Sequence, residues 1–347
     1  MQLISNTYPK ALVVIVVLCT LFSCSKDENT SNLEDALFVR HKDADMPAYI
    51  HGNASDNIFL IMLHGGPGGI GLGYRGPAFD SIEKTCAVVY FDQRGSGMAQ
   101  GSYSEDGINV DIMAEDILAL VKVVKRKYGD DAQFFLMGHS WGGALGPATL
   151  LKDQSDFLGW INVDGAHNGK GMYSEYISNF RRVASEQIEA ENDLEYWNDI
   201  IELTSNVAPT YNMNDMRTLN SESFAAENEL KNTGLINKQV KNNYNTILNY
   251  NLLTMFWNQL NTQSILDDDL FENSDYTDRL SEITIPSLVL WGKHDMVVPI
   301  RFAQEAFDNL GSSEKELVIF KNSGHSPMGT EPNLFAEEVI AFINENR

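Results

Sequence analysis

The stretch that most constrains this chain is Gly138-His139-Ser140-Trp141-Gly142, because of what stands on either side of it. The apolar run Gln133-Phe134-Phe135-Leu136-Met137 leads in, and the small residues Gly143-Ala144-Leu145-Gly146 lead out. That order predicts a buried strand, a sharp turn and the start of a helix, with Ser140 at the apex. The flanking glycines let the chain turn without Cβ clashes and leave the serine hydroxyl in the open. Ser140 is therefore a candidate nucleophile. Pro147, early in the helix, is expected to bend it or tighten its first turn.

The sequence upstream builds towards that turn. Leu37-Phe38-Val39-Arg40 and Ala48-Tyr49-Ile50-His51 are short strand candidates with Asp43-Ala44-Asp45 as the turn between them. Ile58 to Leu63 is continuously apolar, as expected of a strand buried on both faces, and it empties into His64-Gly65-Gly66-Pro67-Gly68-Gly69. A loop so rich in glycine can turn backbone N–H groups towards an anion. A phosphate loop would need Gly-Lys-Ser/Thr, which is absent, and the spacing is not that of a dinucleotide site. Cys86 to Phe91 is another buried strand, followed by Asp92-Gln93-Arg94-Gly95-Ser96-Gly97, in which Asp92 and Arg94 are expected to fix the loop as an ion pair. Val110 to Lys127 has one apolar face at helical period. Strand, helix and strand in repetition argue for an α/β fold whose sheet is mostly parallel, with helices on both faces.

His-Gly-Gly-Pro-Gly at 64–68, Asp-Gln-Arg-Gly-Ser-Gly at 92–97 and Gly-His-Ser-Trp-Gly-Gly at 138–143 together resemble the α/β-hydrolase fold. Within it they look like the proline iminopeptidase group of serine peptidases. The resemblance implies Ser140 as nucleophile and the N–H groups of Gly66 and Trp141 as the oxyanion hole. It covers residues from about 34 to 165 and from about 281 to the end. Between them, residues 166–280 lose the buried-strand runs and become rich in Asn, Glu and Tyr, which fits an inserted helical lid. The expected organisation is thus a core from 34 to 165, a lid from 166 to 280 and a second part of the core from 281 to 347.

Acid and base come from that second part. Ser287 to Trp291 is a strand candidate ending in Gly292-Lys293-His294-Asp295, and Ser323-Gly324-His325 follows the final strand candidate. Ser140, Asp295 and His325 stand in the chain order of α/β-hydrolase triads. A neutral His325 would take the serine proton, and Asp295 would hold the imidazole in the required tautomer. Asp164, at the end of another strand candidate, is the rival acid. No His-x-x-x-His pair exists for a zinc hydrolase, and a serine at 140 argues against hydrolases that attack with a carboxylate. No cofactor or metal is implied.

The resemblance implies a substrate that is a short peptide losing its first residue, proline foremost. The alternative is an esterase, amidase or lactonase acting on a small uncharged acyl group. The family's peptidases hold the substrate ammonium with lid glutamates; the lid here has acids to offer, among them Glu175, Glu186, Glu202 and Glu229, and sequence does not say which face inward. The family's Trp-rich segment carrying one of them is not evident, and Met255-Phe256-Trp257-Asn258-Gln259, the nearest stretch, holds no acid.

Composition bounds the partners. The chain has 347 residues and a formal net charge of −23, which excludes nucleic acid as a natural ligand. Cys19, Cys24 and Cys86 form neither a disulfide framework nor a metal site. Lys10 precedes the apolar run Ala11 to Leu18, too short to span a bilayer comfortably, and the run ends in Leu21-Phe22-Ser23-Cys24. That ending resembles a bacterial lipobox and implies a signal peptide over 1–23, cleavage before Cys24 and acylation of that cysteine. Residues 24–33 then read as a flexible tether, and the protein as lipid-anchored to a membrane outside the cytoplasm. Lys26-Asp27-Glu28 also looks like the surface-export tag of some Gram-negative lipoproteins.

Overall fold

The apolar runs of the sequence become the middle of one sheet. The computed structural model describes residues 30–101, 103, 107–241, 244 and 250–347. The expected signal peptide over 1–23 and Cys24 lie outside them. In chain order come β1 (Leu33–His41), β2 (Ala44–Gly52), β3 (Ile58–Leu63), α1 (Pro77–Ile82), β4 (Ala87–Phe91), β5 (Gln100–Gly101), α2 (Val110–Tyr128), β6 (Gln133–His139), α3 (Gly142–Leu150) and β7 (Phe157–Val163). Four helices follow, α4 (Gly169–Glu189), α5 (Leu194–Asn206), α6 (Met213–Asn232) and α7 (Leu252–Asn273). The chain then closes with β8 (Ser287–Gly292), α8 (Arg301–Asn309), β9 (Lys315–Phe320), α9 (Pro327–Thr330) and α10 (Pro332–Glu345).

The strand order is β1-β2-β4-β3-β6-β7-β8-β9, with β5 paired to β2. The β1–β2 and β2–β4 pairs are antiparallel, and from β4 to β9 every pair is parallel. Helices α2, α3 and α8 cover one face; α1 and α10 cover the other, through Phe79, Phe335, Val339 and Phe342. Strands β3 and β4 have no exposed residue, which is why they read as unbroken apolar runs rather than as alternation. Each such side chain contributes roughly 1.5–3 kcal/mol by leaving water. Parallel strands converge at their carboxyl ends, and that edge, beneath the helical insert between β7 and β8, is where ligands bind in open α/β sheets.

Four local expectations change. Thr30–Asn32 form a 3-10 turn, Thr30 O accepts from Ala54 N at 2.6 Å and β1 begins at Leu33, so residues 30–33 belong to the fold rather than to a tether. The β1–β2 turn falls at Lys42 and Asp43, both with positive φ, one residue earlier than expected; paired positive φ is the hairpin geometry that matches strand twist. Helix α3 runs through Pro147 without a break, forgoing only the N–H that proline lacks. Arg94 does not pair with Asp92. Its guanidinium forks onto Asp116 of α2 at 2.7 and 2.6 Å, while Asp92 accepts from Gly71 N, Met98 N and Tyr250 Oη at 2.9, 2.9 and 3.0 Å. Two backbone N–H groups and a tyrosine hydroxyl, not a cation, satisfy Asp92. Cys86 is buried in the core, as expected. No helix among the described residues is long and apolar enough to cross a membrane.

Candidate active site

Ser140 sits between β6 and α3 with φ of 55°, a left-handed conformation that costs a serine about 1–3 kcal/mol. Three backbone bonds hold it there: Ser140 N to Val163 O at 3.0 Å, Gly143 N to Ser140 O at 2.8 Å and Ala166 N to Ser140 O at 3.0 Å. The serine, not its glycines, carries the unusual φ. The glycines are required for close approach: a Cβ on Gly138 would lie 2.1 Å from Gly142 O, and one on Gly142 would lie 2.2 Å from Leu63 O. The motif therefore records how near β6, α3 and β3 come to one another.

His325 follows β9 and donates from Nδ1 to Asp295 Oδ2 at 2.9 Å. Its other nitrogen, Nε2, is buried and has no hydrogen-bond partner among the described residues. That is the nitrogen a general base must keep open, and such contacts commonly tighten only with substrate. Burial pushes the imidazole down to about 4, so it is neutral at pH 7. Asp295, after β8, also accepts from Val297 N and Val298 N, both at 2.8 Å.

Asp164 follows β7 beside Asp295, but among the described residues it accepts only from Gly292 N, at 2.8 Å, and its Oδ2 has no donor. Burial raises both carboxyls, and for Asp164 the next cause is the charge of Asp295. Two buried carboxylates side by side do not both ionise. Asp295, with three N–H donors, is the better anion, so Asp164 keeps the proton.

The N–H groups of Gly66 and Trp141 make no hydrogen bond within the described residues, and Gly66 lines the same cavity as Ser140. The loop carrying Gly66 is fixed from two sides. His64 is buried, pushed down to about 4 by desolvation, and accepts at Nε2 from Gln93 N, while Gln93 Nε2 donates to His64 O at 3.0 Å. Trp141 Nε1 donates to Gln93 Oε1 at 3.0 Å, which ties the second motif to the third. On the other side Gly65 N donates to Tyr74 Oη at 2.8 Å, and Tyr74 Oη donates to His139 Nδ1 at 2.6 Å. His139 Nε2 in turn donates to His325 O at 2.6 Å. Burial, and then the neighbouring His325, push His139 down to about 3, so this chain of bonds is neutral and directional. One tautomer satisfies every link.

The arrangement is not a metal centre. His139, Asp164 and His325 are the one trio among the described residues whose donor atoms approach each other, within 4.8 Å. Both His139 nitrogens and His325 Nδ1 are already committed.

The cavity over Ser140 measures about 200 Å³, and α4, α6 and α7 of the insert form its outer wall. Of the four expected glutamates, none lines it. Glu175 pairs with Arg301 and Glu186 with Arg182, while Glu202 is exposed on α5 and Glu229, half-buried on α6, accepts from Asn232 Nδ2. The carboxylate that does line it is Asp267 of α7, beside Gln263 and pushed up to about 6 by burial. It stands in the run Asp267-Asp268-Asp269, where sequence offers no sign of which acid faces inward.

A second unforeseen acid, Glu227 of α6, reaches down to the base loop and accepts from His325 N at 2.8 Å. A Cβ on Gly324 would lie 2.4 Å from that carboxyl carbon. Glu227 interrupts the buried stripe Met216, Leu219, Ser223, Ala226 and Leu230, and an acid on such a stripe was the available signal.

A family profile for the alpha/beta hydrolase fold matches residues 58–332. The chain is 28% identical over 286 residues to a proline iminopeptidase of Saccharolobus solfataricus, spanning 82% of this chain and 84% of that one. It is 25% identical over 296 residues to the probable aminopeptidase YbaC of Bacillus subtilis, spanning 83% and 89%. Among solved structures, VinJ superposes with a TM-score of 0.61 at 18% identity over 90% of this chain and 99% of that chain.

Proposed function

The chain belongs to the alpha/beta hydrolase fold family, and from that premise we propose that it is a serine aminopeptidase removing the first residue, proline or another small one, from short peptides. In this reading Ser140 Oγ attacks the carbonyl carbon of the first residue while His325 Nε2 takes the hydroxyl proton. The negative charge that gathers on the carbonyl oxygen is met by the N–H groups of Gly66 and Trp141, each such donor being worth about 10²–10³ in rate. As the C–N bond breaks, the imidazolium returns its proton to the leaving amine. Water, deprotonated by the same histidine, then releases the acyl group from Ser140.

The observation that carries the peptidase reading is Asp267, the carboxylate in the wall of the Ser140 cavity. A cavity of about 200 Å³ with one carboxylate in its wall suits a substrate whose first residue bears a free ammonium. Relatives named as iminopeptidase and aminopeptidase agree with it. The test compares prolyl-naphthylamide, its N-acetylated form and p-nitrophenyl butyrate on the native enzyme and on Asp267→Asn. Rapid turnover of the free amine, lost by about 10²-fold or more in Asp267→Asn with the ester rate nearly unchanged, is the expected outcome. Equal rates for the blocked and free amides would favour an esterase or amidase instead.

We further propose that the mature protein begins at an acylated Cys24 and is held on a membrane outside the cytoplasm. The support is the short apolar run ending in Leu21-Phe22-Ser23-Cys24. Mass spectrometry of the amino terminus in the native host decides it: an intact Met1 or an unmodified Cys24 ends the proposal.

A further inference from the structure

The first half of α7 turns its large apolar side chains outwards. Leu252, Leu253, Phe256, Trp257 and Leu260 are all 60% or more exposed, and their spacing puts them on one side of the helix. The side facing the body is held partly by polar groups. Asn258 Nδ2 donates to Gly97 O and Ala99 O at 3.2 and 2.9 Å, and Thr262 Oγ1 donates to Gly95 O at 2.8 Å. An apolar face of this size on the outside of a folded chain marks a contact with something else.

Two observations say where that face lies. In the β1–β2 register Ala36 is opposite Tyr49, and the Tyr49 ring is 6.2 Å from that of Tyr250, just before α7. Phe38 is two residues along from Ala36, so it shares that face of β1, and it is 70% exposed. The residue that leads into α7 thus packs on the face of the β1–β2 pair that carries Phe38. β1 is also the strand by which the amino-terminal segment enters the fold. From Cys24 to Asn29 six residues precede the turn at Thr30, a reach of at most about 20 Å when extended.

We propose that the first half of α7 and Phe38 dock on the surface of a zwitterionic lipid bilayer, seating the enzyme flat against the membrane that holds its anchor. The proposal rests on the anchored reading of Cys24 for its biological setting, not for the chemistry of the face. Tryptophan, phenylalanine and leucine are the side chains that partition into the bilayer interface. Electrostatic attraction plays no part: α7 has no Lys or Arg, Arg40 on the Phe38 face of β1 is forked onto Asp45, and the chain carries a net charge of −23, so an anionic surface would repel it. The second half of α7 holds Gln263 and Asp267 in the cavity wall. Eleven residues of helix separate Phe256 from Asp267, about 16 Å, so docking would bring the cavity near the lipid surface and its amphiphilic peptides.

The molecule carries its own reporter. Trp257 is 68% exposed, whereas Trp141, Trp160, Trp197 and Trp291 are 1% exposed or less. The chain from residue 24 with Cys24→Ser contains every described residue of the fold and no lipid. Adding phosphatidylcholine vesicles to it should shift tryptophan emission to the blue, and brominated lipid should quench it. Leu253→Ser/Phe256→Ser should weaken co-sedimentation with these vesicles by about tenfold or more, with hydrolysis of a soluble substrate unchanged. Replacing roughly a third of the lipid by phosphatidylglycerol should weaken binding further. No emission change, or equal binding by the double variant, overturns the proposal. So does a dimer in sedimentation velocity that the double variant abolishes, because a second copy would then be what covers the face. Because the lipid anchor is absent from this chain, an unmodified Cys24 in the host would sink the anchored reading and leave these results standing.

Discussion

At Asp164 and Asp295 two buried acids compete for one role, and hydrogen bonding separates them. Asp295 receives His325 Nδ1–H and two backbone N–H groups, Asp164 a single one. Asp295→Asn should lower kcat by up to about 10⁴-fold with the fold intact, since the amide would hold the wrong tautomer of His325. Asp164→Asn should cost less than about tenfold, because an amide imitates a carboxyl that is already protonated. Steady-state kinetics with circular dichroism as the folding control checks both, and the reverse pattern would transfer the role to Asp164. The pH dependence separates two other groups. In the proposed mechanism His325 is a neutral base, so activity should fail as pH drops through its lowered value of about 4. Asp267 is raised to about 6 and must be ionised to hold an ammonium. The acid limb of kcat/KM should therefore lie near 6 for prolyl-naphthylamide and well below that for p-nitrophenyl butyrate. Coincident limbs would remove Asp267 from recognition.

Among the elements, α6 joins the insert to the loop that carries the base. Through Glu227 it holds the backbone N–H of His325, and Lys231 one turn on stands 3.3 Å from the same carboxylate. Glu227 is thus a positioning residue, acting through the base rather than on substrate. Glu227→Ala strands a buried N–H, at a cost of about 1–3 kcal/mol, and should lower kcat/KM roughly tenfold. Glu227→Gln keeps an acceptor but removes a charge that raises the His325 pKa. With Gln most activity should survive, and the acid limb measured with the ester should move to lower pH. A limb that stays in place would reduce Glu227 to a packing role.

Over the whole molecule the charge is one-sided, with 48 acidic against 25 basic residues. Self-repulsion of that kind opposes the compact state and is screened within about 8 Å at physiological salt, against about 30 Å at 0.01 M. The thermal midpoint should rise by roughly 2–5 °C between those salt concentrations. A midpoint that falls or stays constant would mean that exposed ion pairs, such as Arg279–Glu282, outweigh the repulsion.

What the sequence determined by itself were the features that depend on neighbours along the chain. Unbroken apolar runs announced the doubly covered strands β3, β4 and β6. Glycines around Ser140 announced a sharp turn without Cβ clashes, and the order of Ser140, Asp295 and His325 matched the pairing seen between the last two. Those signals are local because a strand buried on both faces, or a turn without room for a Cβ, admits few residue types. The tertiary structure decided what depends on facing. Nothing in Asp267-Asp268-Asp269 says that the first acid turns into a cavity, since helical phase is set by what packs on α7. Arg94 found Asp116 rather than Asp92 because α2 crosses the loop there. Glu227 met His325 although 98 residues separate them, for only the fold brings α6 over the base loop.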